Sequence, residues 1–156
     1  KVTGGGQPSL YVFEPNAALA EECRQTLCGI PSCTVIQKGT WDCSTTLKFA
    51  EAGEGSHIDN GSDGSDTEIQ TATIDETLNG NRATFIKMDV EGAEYKSLLG
   101  ASKTISRYKP KLAISVYHRR DDIWEIPMLI LRLNPDYKFY MRAYSFTGND
   151  TVLYAI

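Results

Sequence analysis

A chain of 156 residues with 41% hydrophobic content can build one domain around its own core, and it is not a disordered polypeptide. A formal net charge of -4 supplies no electropositive footprint, so neither nucleic acid nor an anionic membrane surface is an expected partner. No apolar run has the length of a membrane span; the best, Ile126 to Leu133, is interrupted by Pro127 and Arg132.

Lys1-Val2-Thr3-Gly4-Gly5-Gly6 has neither the apolar core of a signal peptide nor an initiator methionine, and the expectation is a segment that begins inside a larger protein. Leu10-Tyr11-Val12-Phe13 is a short apolar strand, ended by Glu14 and Pro15. Asn16 is a good N-cap for a helix from Ala17 to about Cys28, with Gly29 as its stop and Leu19, Ala20, Cys23 and Leu27 on its inner face. Cys23, Cys28, Cys33 and Cys43 form no C-x-x-C pair, and both histidines lie far from them. Reduced thiols of a cytoplasmic protein fit this better than a zinc site; a Cys28–Cys33 bridge is an alternative with nothing to support it. No metal is expected.

Thr34-Val35-Ile36-Gln37 reads as the next strand, leading into Lys38-Gly39-Thr40-Trp41-Asp42. Thr45 to Ala50 and Ile69 to Ile74 alternate apolar and polar residues, the pattern of a hairpin. Glu51 to Thr67 is rich in Gly, Ser and Asp and reads as a surface loop or as a lid over a ligand; it misses the acidic spacing of a calcium loop. Asp75 is placed to cap a short helix ending at Leu78, and Asn79-Gly80-Asn81 is a turn.

Phe85-Ile86-Lys87-Met88 has the run of a strand buried on both faces. It ends in Asp89-Val90-Glu91-Gly92, and a helix follows with Tyr95, Leu98 and Leu99 inward, running on to Lys109-Pro110. Open α/β sheets bind ligands beyond the carboxyl ends of their strands, where Asp89 and Glu91 fall. The simpler reading is that the two carboxylates favour the electropositive helix start. Leu112 to Tyr117 is another buried strand, terminated by His118-Arg119-Arg120-Asp121-Asp122. A helix from about Asp122 to Leu133 and an antiparallel pair, Tyr137 to Tyr144 and Thr151 to Ile156, complete the chain. Alternating strands and helices predict an α/β fold with a doubly wound, mostly parallel sheet and an antiparallel C-terminal strand.

Val12-Phe13-Glu14-Pro15-Asn16, Lys87-Met88-Asp89-Val90-Glu91-Gly92-Ala93-Glu94 and Lys109-Pro110-Lys111-Leu112 through His118 resemble the FkbM family of S-adenosylmethionine-dependent methyltransferases. With Asp150 to Ala155 the resemblance runs over nearly the whole chain, read as one methyltransferase domain over residues 1–156. It implies the Rossmann-like class I fold, a seven-stranded sheet of order 3-2-1-4-5-7-6. It also implies S-adenosylmethionine as cofactor and a small-molecule or saccharide acceptor. On that reading Glu14 grips the ribose, as a strand-end carboxylate does in nucleoside sites, or is a solvated turn residue. Gly39, Thr40 and Trp41 lie where this fold contacts adenine, with Trp41 against the base or in the core. Asp89 faces the positively charged methionine end, and Glu91 shares that task or holds the helix start.

Methyl transfer to a hydroxyl calls for positioning and a general base. His118 and Asp89 are the candidate catalytic residues, His118 because histidine titrates in the useful range. Asp121 and Asp122 cap the next helix, or one of them orients His118. Arg119 and Arg120 receive an anionic substrate or are ordinary surface charge.

The resemblance also implies a first strand and a glycine-rich loop, yet only nine residues precede Leu10 and Gly4-Gly5-Gly6 does not open a helix. The expectation is therefore an N-terminally incomplete domain. Its function is O-methylation of a sugar or small-metabolite hydroxyl, or alternatively non-catalytic binding by a Rossmann-like interaction domain. A nicotinamide oxidoreductase fits poorly, because G-x-G-x-x-G is missing.

Overall fold

The structure, a computed structural model, describes residues 9–50, 57–58 and 67–156. The chain divides after Gly39 into two compact units.

In the first unit, β1 (Leu10–Phe13) is followed by α1 (Ala17–Thr26) and β2 (Cys33–Ile36), and the two strands pair in parallel from Leu10↔Cys33 to Phe13↔Ile36. The helix between them is the crossover that parallel pairing requires. Asn16 caps α1 as expected: its Oδ1 accepts from the N–H groups of Ala18 and Leu19 at 2.9 and 3.2 Å. The helix stops at Thr26, earlier than its composition suggests. Ala20 is fully buried and Cys23 and Leu27 are half-buried, but Leu19 is exposed. At helical spacing Leu19 sits roughly 70° from the middle of the stripe that Ala20, Cys23 and Leu27 define, so it falls off the packed face.

A two-residue strand, β3 (Gly39–Thr40), crosses the division. The second unit continues with β4 (Thr46–Ala50), β5 (His57–Ile58), β6 (Thr67–Ala72) and α2 (Ile74–Leu78). Then come β7 (Phe85–Met88), α3 (Glu94–Leu99), α4 (Ser102–Tyr108), β8 (Lys111–Ser115), α5 (Asp122–Leu133), β9 (Phe139–Ala143) and β10 (Thr151–Ala155). The expected hairpin is present, with β4 and β6 antiparallel from Thr46↔Gln70 to Phe49↔Thr67. Two residues of the expected loop, His57 and Ile58, are instead a strand against Ala50 and Phe49, because β4 offers them its free edge. Thr67, the last residue of that expected loop, opens β6, and 51–56 and 59–66 lie outside the described residues.

The sheet that positions the site has the order β7-β8-β10-β9. β7 and β8 are parallel, and β10 runs antiparallel between β8 and β9, which is the reversed C-terminal strand the sequence predicts. The single seven-stranded sheet is not what the described residues form: they make three sheets, of two, four and four strands. Among those residues β1 pairs with β2 alone and β7 with β8 alone.

β8 is buried on both faces, as its uninterrupted apolar run demands. β7 is not. Ile86 and Met88 point inward while Phe85 and Lys87 are exposed, so this strand is packed on one side only. Leu98, Ile105, Leu112, Ile114, Ile126, Ile130 and Leu153 are the largest apolar side chains fully enclosed in the core.

Two local expectations are corrected. The helical stretch before Pro110 is two helices, broken at Gly100-Ala101, where a Cβ on Gly100 would collide with the carbonyl of Trp41. Asp75 does not cap α2; Thr73 does, accepting from the Glu76 N–H at 3.0 Å. Asp75 instead accepts from the N–H groups of Lys103 and Thr104 at 2.9 and 2.8 Å, and so caps α4 from a distant segment. The residue at the start of α4, Ala101, has no side chain able to do so.

Candidate functional site

Parallel pairing of β7 with β8 aligns Met88 with Ile114. The residues that leave both strands, Asp89 to Glu94 and Tyr117 to Asp122, therefore emerge along one carboxyl edge of the sheet. Between β7 and α3 the chain turns through Glu91 at φ 53° and Gly92 at φ 90°, closed by the Ala93 N–H donating to the Val90 carbonyl at 3.1 Å. Two successive left-handed residues give the pattern of a type I′ turn. Glycine suits the second position, whereas a glutamate at the first is a strained choice of the kind found at functional sites. A Cβ on Gly92 would also approach Arg119 Nε to 3.3 Å. Gly92→Ala should accordingly destabilise this unit by about 1–2 kcal/mol, read as a lowered midpoint in urea.

The turn presents three carboxylates to one imidazole. His118, with only 9% of its side chain exposed, places Nδ1 at 2.8 Å from Glu94 Oε1. Its Nε2 lies 3.3 Å from Glu91 Oε2 and 3.8 Å from Asp89 Oδ1. The Nδ1–Oε1 distance is that of a hydrogen bond, but the contact is off the line of a well-aligned one. Charge carries it more than direction does. Asp89 and Glu91 are 39% and 45% exposed, whereas Glu94 is completely enclosed. Glu94 Oε1 also accepts from the Val90 N–H at 2.9 Å, while Oε2 has no hydrogen-bond partner among the described residues.

Burial by itself would lower the pKa of His118. Contact with Glu94 and the charges of Glu94, Glu91 and Asp89 outweigh burial and raise it above the ordinary histidine value. A histidine raised by folding contributes stability that is fully present below its unfolded value of 6.5 and is lost as pH climbs through the folded value. The melting temperature of the wild-type chain should therefore fall over that interval, and His118→Asn should flatten the slope.

Two neighbours complete the edge. Tyr117 donates to Asp89 Oδ1 at 3.3 Å and stacks at a tilt on His118, with ring centroids 4.1 Å apart. Burial, then the Asp89 charge, pushes its phenol up to about 12, so Tyr117 keeps its proton and remains a donor. Asp122 is buried and accepts from the Arg119 N–H at 3.0 Å; burial raises its carboxyl against that bond. It braces the loop that carries His118. Asp121, at the start of α5, makes no capping bond.

The other residues singled out from the sequence are placed as follows. Glu14, in the first unit, turns Oε1 onto the Asn16 N–H at 2.8 Å, a local turn contact. Gly39 opens β3. Thr40 is buried and its hydroxyl lies 2.6 Å from that of Ser97; since Ser97 donates to the Thr40 carbonyl at 3.0 Å, Thr40 is the donor of the shorter bond. Its side chain is thus committed to α3. Trp41 is half-buried beneath Lys96, whose Nζ lies 5.7 Å from the ring centroid and pairs with Asp42 at 2.7 Å. A surface cleft of about 500 Å³ lined by Asp42, Thr73, Asp75, Glu76 and Lys103 includes none of the His118 cluster.

One ligand-type atom each from Asp89, Glu94 and His118 falls within 4.8 Å of the others. Such spacing suits an imidazolium among its counter-ions as well as it suits a bridging cation.

A model of the Methyltransferase FkbM domain matches residues 2–146. The chain belongs to the FkbM methyltransferase family. A solved relative, the crystal structure of methyltransferase FkbM from Methylobacillus flagellatus KT, superposes with a TM-score of 0.79 at 28% identity over 95% of this chain. The FkbM chain described here spans 36% of the length of that protein. No curated protein matches it. Among the described residues, no helix is long and apolar enough to cross a membrane.

Sequence reasoning passed over two members of the His118 cluster. Glu94 stands in the K-x-D-x-E-G-A-E block but reads there as an ordinary first-turn glutamate, and nothing local announces that it is enclosed. Tyr117 reads as the last residue of a buried strand. The signal that could have found Glu94 is its place four residues before Leu98, on the inner face of the helix.

Proposed function

We propose that this FkbM chain carries the S-adenosylmethionine-dependent O-methylation of a hydroxyl on a sugar or other small molecule. The observation that carries the proposal is the His118 imidazole held among Asp89, Glu91 and Glu94 at the carboxyl edge of β7 and β8. The cofactor would bring an electrophilic methyl group on a sulfonium that departs as a neutral thioether. The exposed carboxylates fit its amino and sulfonium charges: Asp89 is steadied by Tyr117 and by Lys87 Nζ at 3.5 Å, and Glu91 stands beside it on the turn. Glu14, Gly39, Thr40 and Trp41 are assigned to its nucleoside end, with Thr40 acting through its backbone because its hydroxyl is engaged with Ser97.

In its neutral form His118 takes the proton of the acceptor hydroxyl at Nε2, the nitrogen on the side of the exposed carboxylates, while Nδ1 stays on Glu94. Turnover should then rise with pH through the elevated midpoint of His118, since only the neutral ring accepts a proton.

Calorimetric titration with S-adenosylhomocysteine and with NAD tests the reading. Binding of the first and not the second is expected, and Glu14→Ala should weaken it roughly tenfold, the loss of one or two hydrogen bonds to a carboxylate. Binding of NAD alone would overturn the cofactor assignment. Silence toward both would favour an interaction domain.

A further inference from the structure

We propose that Glu94 is the positioning residue of this site, holding His118 by its Nδ1 edge so that Nε2 is the nitrogen left to work. The inference rests on the proposed methyl transfer for its catalytic meaning, and on geometry alone for the pairing. Glu94 is entirely enclosed, and a carboxylate without water needs a cation or a full set of donors. Among the described residues it has one donor, the Val90 N–H, and one cationic neighbour, His118. Its Oε1 accepts from the first and lies 2.8 Å from Nδ1 of the second. An ionised carboxylate oxygen only accepts, so the hydrogen between Oε1 and Nδ1 belongs to the imidazole. A neutral His118 in that arrangement carries its proton on Nδ1 and keeps its lone pair at Nε2, an atom buried against Glu91 and Asp89.

The charged and titratable groups facing His118 come from every element around it. Asp89 comes from the end of β7, Glu91 from the turn and Glu94 from α3, while Tyr117 and Arg119 flank it after β8 and Asp122 begins α5. Of these, Glu94 is the carboxylate that contacts Nδ1 and is shut away from solvent, so its charge is the least screened. The alternative is that Glu94 merely secures the start of α3 through Val90. Glu94→Gln separates the two, because its amide oxygen can still accept from Val90 while the charge is gone.

The chain contains two histidines, His57 and His118, so nitrogen-15 NMR of the imidazoles resolves His118 with a single rival signal. In the wild-type chain His118 should titrate above the ordinary histidine value and, once neutral, show Nδ1 protonated. In Glu94→Gln its midpoint should fall by about one pH unit or more, and the acidic limb of the pH–turnover profile should move down with it. An unchanged midpoint, or a neutral ring protonated at Nε2, would overturn the proposal. So would stoichiometric Mn2+ that broadens the His118 signals in wild type and not in Glu94→Gln, which would assign the positive charge to a cation instead. The wild-type tautomer decides the matter even where the variant fails to fold. A chain without any turnover would sink methyl transfer while leaving the NMR answer on Glu94 intact.

Discussion

His118→Asn should lower methyl transfer by about 10²–10⁴-fold, the range over which a positioned general base contributes, while leaving the affinity for S-adenosylhomocysteine nearly unchanged. Asparagine fills much of the same space and can still bond Glu94, but it has no group that accepts a proton near neutral pH. The loss should appear in kcat, because the proton is taken only as the transition state forms. The same variant should lose the acidic limb of the pH–rate profile, which in the wild-type chain reports the imidazole raised by Glu94, Glu91 and Asp89 against its burial. Single-turnover rates together with calorimetry check both parts. A variant that keeps wild-type kcat would remove His118 from the mechanism and return its burial to a purely structural role.

Leu98→Ala should cost about 2–5 kcal/mol of stability, the range for large-to-small changes at enclosed leucines. Leu98 has no exposed surface and lies one helical turn beyond Glu94, on the face of α3 that also buries Ser97. That face meets α5, while Ser97 is tied to Thr40, so the cavity left by the truncated side chain has rigid walls on two sides and little room to close. Urea titration should show a lower midpoint with an unchanged slope, the mark of lost stability without a change in the surface exposed on unfolding. Below its new melting point the variant should retain His118 at its raised midpoint, since the Glu94 contact is made from the opposite end of the helix. A shift of less than about 1 kcal/mol would mean that α3 is not packed as described.

Much of the site could be read along the chain. Asp89 and His118 each stand where an apolar run gives way to polar residues, and a strand end is a local event visible in the order of side chains. Asn16 as a helix cap and the reversed terminal pair are local in the same sense. Errors arose where a partner came from far away. Asp75 looks like the cap of its own helix but serves α4, because Thr73 already holds the α2 position and Ala101 cannot cap. The Thr40 hydroxyl has a distant partner too, Ser97, 57 residues on, while its backbone remains assigned to the proposed nucleoside end. Leu19 looks inward-facing until the stripe on α1 is laid out in three dimensions. Glu94 was the largest omission, since a glutamate in a first helical turn is ordinarily solvated and favours the helix end.

Periodicity and chain order alone determined that the protein is built from alternating strands and helices and that acidic residues and a histidine close consecutive strands. Those features follow from side-chain spacing within a few residues. Only tertiary structure decided that Met88 pairs with Ile114, and hence that a turn at residues 89–94 and a loop at 117–122 share one edge. Register between strands joined by a helical crossover is set by packing of distant side chains, and the same packing sealed Glu94 from water and made it the counter-ion of His118.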